Sequence, residues 1–146
     1  MIDLDKWSLW FCAAIVAAFV FCGCAPTTEY IAARKAEPVM ATTVMDAYGA
    51  WRVTDLAKQK AIVAAAKSLA EAQAGLAKWR TVDQTQVDKA FKAARDAVYA
   101  YDTALEAYKQ GTNRNFVGVE ANAIDAIRTL LAVLASYGVK IASQLL

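Results

Sequence analysis

The chain has 146 residues, 16 of them basic and 14 acidic, a formal net charge of +2 and 58% hydrophobic residues. That length suits one modest domain, and the near-balanced charge, spread along the chain, lacks the concentrated basic face of a nucleic-acid binder. Histidine is absent, which excludes Ser-His-Asp and Cys-His nucleophile pairs, HExxH zinc sites and a histidine haem ligand.

From Trp7 to Ala25 the sequence reads WSLWFCAAIVAAFVFCGCA, without one charge. A run of about twenty apolar residues is long enough to cross a hydrocarbon core as a helix. A secretory signal needs a shorter apolar core followed by small residues at a cleavage site. The segment closes on Phe21-Cys22-Gly23-Cys24, a large apolar residue, two small ones and a cysteine. It resembles the signal peptide and lipobox of bacterial lipoproteins, a likeness confined to the first 25 or so residues. The resemblance implies cleavage before Cys24, which becomes the new N-terminus and carries fatty acyl chains such as palmitate. Stable anchoring takes more than one such chain. Two other readings of the run stay open, an uncleaved membrane anchor and a buried apolar core helix. All three cysteines, Cys12, Cys22 and Cys24, lie in this run, so the body has no disulfide and no cysteine metal site.

Beyond Cys24 the composition changes to alanine-rich, charged and periodic. Pro26 and the threonines after it suit a short spacer over residues 25–38, with a helical turn or two from Thr28 to Ala36. Pro38 either kinks that segment or opens the next helix at its first position. Only two prolines and six glycines punctuate the whole chain, which argues for helices rather than a turn-rich sheet fold.

Val39 to Trp79 carries the longest helical pattern. Val44, Tyr48 and Trp51 form one apolar stripe; Ile62, Ala65, Leu69, Ala72, Leu76 and Trp79 form a second at spacings of three and four. Strict register between them puts Asp55 and Lys58 on the inner face. Leu56 and Val63 lie on a rotated face, so the stripe drifts there or the helix bends. Lys58, Lys60 and Lys67 read as a solvated face.

Thr81 with Gln84, and Asp83 with Gln86, have capping-box spacing and predict a helix start near Asp83. Val87, Phe91, Ala94, Val98, Tyr101, Leu105 and Tyr108 form its inner seam, and Gly111 its stop. Asn115 is the expected N-cap of a last helix from Phe116 to Gln144, with a seam through Ile124, Ile127, Leu131, Leu134, Gly138, Ile141 and Leu145. Seams of this kind belong to helices crossing at a shallow angle, and short loops make neighbours antiparallel. The expected fold is all-α: an N-terminal apolar signal or membrane helix over 1–24, the spacer, and an antiparallel three-helix bundle over 39–146. Such seams can also pair between chains, as a homo-oligomeric coiled coil.

No GxGxxG or P-loop pattern occurs, and nothing calls for a cofactor or a metal. Asp96, Asp102 and Glu106 lie close along one helix, with Asp102 and Glu106 four apart; such pairs are far more often solvated surface than catalytic acids. Asp88 and Lys92, acid first and four apart, read as helix support. Tyr99 falls outside the seam, where an exposed aromatic marks a partner contact. The reading is therefore non-enzymatic: a membrane-tethered helical bundle of the cell envelope that binds an unidentified protein partner or acts as a spacer. By resemblance to lipoprotein sorting rules, Ala25 after the lipobox is compatible with periplasm-facing delivery to an outer membrane. Lipoproteins of this size occur in bacteria and their phages. The alternative is an uncleaved single-span protein acting as a subunit of a membrane complex or in a lysis-type assembly.

Overall fold

The computed structural model describes residues 27–112 and 116–141. The apolar run, the lipobox, Asn115 and the end of the expected last helix lie outside them. Among the described residues the chain is all-α, with helices and no strand. From Ala33 onward it belongs to one compact unit.

Helix α1 spans Thr28–Ala65 and is 38 residues long. Thr27 starts it, its hydroxyl accepting the Tyr30 N–H at 3.2 Å. The helix continues through Pro38, so the residues expected to form a spacer are helical from Thr28 onward. Thr42 and Thr43 return their hydroxyls to the Pro38 and Val39 carbonyls at 2.7 and 2.8 Å.

The chain reverses at Ala66–Ser68, inside the stretch that reads as one long helix. Ser68 is extended, and its hydroxyl accepts the Glu71 N–H at 3.2 Å while the Glu71 carboxylate accepts the Lys67 N–H at 2.9 Å. Ser68 thereby satisfies one helix-start donor, and Glu71 reaches back to hold the residue before the cap. Helix α2 (Leu69–Lys78) then passes through a π-helical turn, Trp79–Gln84, directly into α3 (Thr85–Lys109). The start expected near Asp83 is therefore a helix interior. Thr81 donates to the Ala77 and Lys78 carbonyls, and Thr85 to the Arg80 carbonyl. These hydroxyls serve the rod they sit in and cap nothing. Gly75 lets α2 approach α1, since a Cβ there would stand 2.7 Å from Cγ2 of Ile62. With the reversal in mid-stripe, Leu69 is 76% exposed while Ala72 and Trp79 stay buried.

Helix α3 stops where the sequence places its stop. Gly111, at φ 73°, directs its N–H to the Tyr108 carbonyl, and the Thr112 N–H reaches Ala107. This is the paired closure of a Schellman motif. Helix α4 (Val117–Ser136) ends the same way at Gly138, φ 81°, with bonds to Ala135 and Leu134 and with Val139 tucked beneath. Gly138 has seam spacing, which is why the helix reads longer than it is.

Of the expected α3 seam, Val87, Ala94, Tyr101 and Leu105 are essentially fully buried and Phe91, Val98 and Tyr108 partly so. On α4 the buried line is Ala123, Ile127, Leu130 and Leu134. Helices α3 and α4 pack most closely, with alanines at Ala94, Ala104 and Ala123 leaving the backbones room to approach. Helix α1 is held to α3 and to the π-helical turn before it by longer side chains: Arg34 reaches Asp102 and Glu106, Tyr48 meets Phe91, and Asp55 meets Trp79 and Gln84 in the turn.

Candidate functional site

Among the described residues, three clusters bring polar or aromatic side chains together from more than one helix. The first surrounds Asp55, which is 4% exposed. Its Oδ1 accepts the Trp79 indole N–H at 2.8 Å and the Gln84 amide at 2.7 Å, and its Oδ2 accepts the Gln59 amide at 3.0 Å. Burial pushes the Asp55 carboxyl up, but hydrogen bonds from Trp79, Gln59 and Gln84, helped by the charge of Arg52, together outweigh it and hold the group below its ordinary value. Trp79 and Gln84 open and close the π-helical turn, the local rewinding of the rod where both reach one carboxylate. The Trp51, Trp79 and Tyr137 rings pack around one another with centroids 5.4 to 5.9 Å apart. The Tyr137 hydroxyl lies 3.2 Å from both Asp83 Oδ1 and Gln86 Oε1. Burial first, and then the Asp83 bond, raise its pKa. The capping partners expected at Asp83 and Gln86 thus serve a tertiary contact.

Both oxygens of Asp55 are engaged by neutral donors, which suits a structural clamp rather than proton transfer. Strict helical register puts both Asp55 and Lys58 on the inner face; Asp55 is there, but Lys58 is exposed, as are Leu56 and Val63 on the rotated face. The partners of Asp55 were not legible, because they lie across a reversal that periodicity does not show.

The second cluster contains the carboxylate pair singled out in the sequence. Arg34 Nη1 donates to Asp102 at 2.9 Å and to Glu37 at 2.8 Å, while its Nη2 donates to Glu106 at 2.6 Å. One guanidinium fork thus spans both acids. Beside it the buried Tyr101 hydroxyl donates to the Ala33 carbonyl at 3.0 Å. Burial, then the charges of Glu120 and Glu37, push the Tyr101 pKa up to about 12. Asp102 and Glu106 tie α3 to α1. Asp96 is engaged separately, by Lys92. The pair expected between Asp88 and Lys92 is therefore replaced by Lys92–Asp96, one turn further on.

The third cluster is a groove of about 510 Å³ between α1 and α3, with Val44, Met45, Tyr48 and Phe91 as its apolar lining and Asp88, Lys92 and Arg95 as its polar one. Tyr48 meets Phe91 edge-on at 5.5 Å, and Met45 is 73% exposed. Tyr99 lies four residues beyond Arg95 on α3, hence on the same side, and is itself 73% exposed.

Among the described residues, no group of three or more acidic or cysteine side chains could hold a metal ion, and no helix is long and apolar enough to cross a membrane. Cys24 lies outside them. Comparison with protein-family models, curated proteins and solved structures found no match.

Proposed function

We propose that the chain is a membrane-tethered, lipoprotein-like protein of the bacterial cell envelope whose helical body acts by protein–protein contact or as a spacer, without catalysis. The body is read as an antiparallel, up-down-up three-helix bundle. Supporting this, Arg34 near the start of α1 meets the end of α3, while Asp55 further along meets Trp79 and Gln84. Tyr137 at the end of α4 likewise returns to Asp83 and Gln86.

One observation carries the non-catalytic reading. The acids best placed for chemistry, Asp55, Asp102 and Glu106, are each engaged by donors from another helix, whereas large apolar side chains such as Met45, Val53 and Tyr99 stand in solvent. These acids serve the body's own packing, while several large apolar side chains outside the core are offered outward. The tether rests on Phe21-Cys22-Gly23-Cys24 at the end of an uncharged apolar run. Radiolabelled palmitate fed to cells expressing the full chain tests it. Label on the protein that disappears in Cys24→Ser is expected; an unlabelled wild-type chain overturns the lipoprotein reading.

A further inference from the structure

Helix α1 has a second face. Its inner side holds Met40, Ala47, Trp51 and Asp55. On its outer side Asp46, Gly49, Val53, Leu56, Lys60 and Val63 recur at alternating spacings of three and four, and every one is exposed. Val53 is 73%, Leu56 54% and Val63 51% exposed. A strict three-four alternation is the seam geometry by which one helix packs along another, and no described element covers this one.

Charge along the seam selects the occupant. Its only acid, Asp46, lies toward one end and its only base, Lys60, toward the other. Among the described residues neither takes part in an ion pair within the chain. Two copies laid parallel would set Asp46 beside Asp46 and Lys60 beside Lys60. Laid antiparallel about a two-fold axis between Thr54 and Asp55, they set Val53 of each copy against Leu56 of the other, twice over. Gly49 then opposes Lys60, and Asp46 opposes Val63. A Cβ added at Gly49 would meet nothing within 4 Å, so the Lys60 stem can cross there and bring its ammonium to Asp46 one turn away. An isologous contact repeats each such pair.

We propose that this face of α1 binds a second copy of the chain, antiparallel, through Val53 and Leu56 with Asp46–Lys60 pairs on either side. The inference rests on the body being an interaction module and not on its lipid. The seam from Asp46 to Val63 covers about 26 Å of helix at 1.5 Å per residue, a small patch that gives a weak, concentration-dependent dimer. Confinement to a membrane would raise its occupancy.

Sedimentation of the purified full chain in detergent, over a range of concentrations, tests this. The wild type is expected to show a monomer–dimer equilibrium, and Val53→Asp/Leu56→Asp to be monomeric with its helical circular dichroism unchanged. Asp46→Lys should weaken the dimer about tenfold, two exposed charge pairs being lost together, and Asp46→Lys/Lys60→Asp should restore it. A wild type monomeric throughout, a dimer surviving Val53→Asp/Leu56→Asp, or an Asp46→Lys variant that dimerises unchanged would each overturn the proposal. None of these results depends on acylation of Cys24, so loss of the tether reading leaves the test standing.

Discussion

The Trp79 indole donates its N–H to Asp55 across 2.8 Å, joining two buried side chains 24 residues apart on either side of the chain reversal. Gln84 adds a second donor to the same oxygen at 2.7 Å. Asp55→Ala leaves both donors facing an empty acceptor, so a loss of about 3 kcal/mol is expected. Asp55→Asn keeps one carbonyl oxygen for the shared position and should cost less, about 1 to 2 kcal/mol. Denaturant midpoints at neutral pH measure both. The gap between wild type and Asp55→Asn should also narrow in acid. The folded carboxyl is held below 3.8, so the unfolded chain binds its proton first, and the stability is fully present above that pH and lost as pH falls through the folded value. A gap between wild type and Asp55→Asn that stays constant below pH 3.8 would contradict this assignment.

Tyr101 gives the opposite dependence. Its pKa is raised from 10.0 to about 12, chiefly by burial. A raised pKa means stability fully present below pH 10 and lost as pH climbs toward 12, because the unfolded tyrosine ionises first. Two pH units correspond to about 3 kcal/mol at the upper limit. Tyr101→Phe should therefore remove part of the alkaline transition, read as the difference between the two chains' unfolding curves from pH 9 to 12.

The Arg34 fork is predicted to behave as one unit. Its side chain and those of Asp102 and Glu106 are more than a third exposed, so solvent screening keeps the cost of Arg34→Ala near 1 kcal/mol. Asp102→Asn and Glu106→Gln should each cost less. Adding either to Arg34→Ala should change little, since the shared partner is already gone. Strict additivity in the thermodynamic cycle would show that the three side chains act independently.

Much of the helical body was legible because apolar spacing reports which face is buried. In the α3 seam from Val87 to Tyr108 every member is buried or partly buried, and Gly111 ends the helix. Reversals were harder. The polar stretch Arg80–Gln84 looks like a helix start because threonine, aspartate and glutamine serve caps and interiors alike; its hydroxyls bond back within the rod instead. Ser68 with Glu71 has the same spacing and forms the true cap. The Asp55 cluster escaped detection for the same reason, since its donors are neighbours only once the chain turns at Ala66–Ser68. Tyr99 was legible as an exposed residue, being off its seam, and the structure adds that it stands one turn from the Met45–Tyr48–Phe91 groove.

Gly138 tests the helix end that periodicity concealed. Its φ of 81° is a conformation that costs an alanine about 1 kcal/mol. Gly138→Ala should lower stability by that amount. No loss would mean that α4 runs on through residue 138, as the seam spacing alone suggests.

The tether is the claim on which the place and action of the protein turn. The most direct measurement is the intact mass of the chain purified from membranes, beside that of Cys24→Ser. A mature chain beginning at Cys24 with acyl mass added, absent from the variant, is the predicted result. A full-length, unmodified chain in both samples would contradict the account, make the Trp7–Ala25 run an uncleaved anchor, and move the protein's partners into the bilayer.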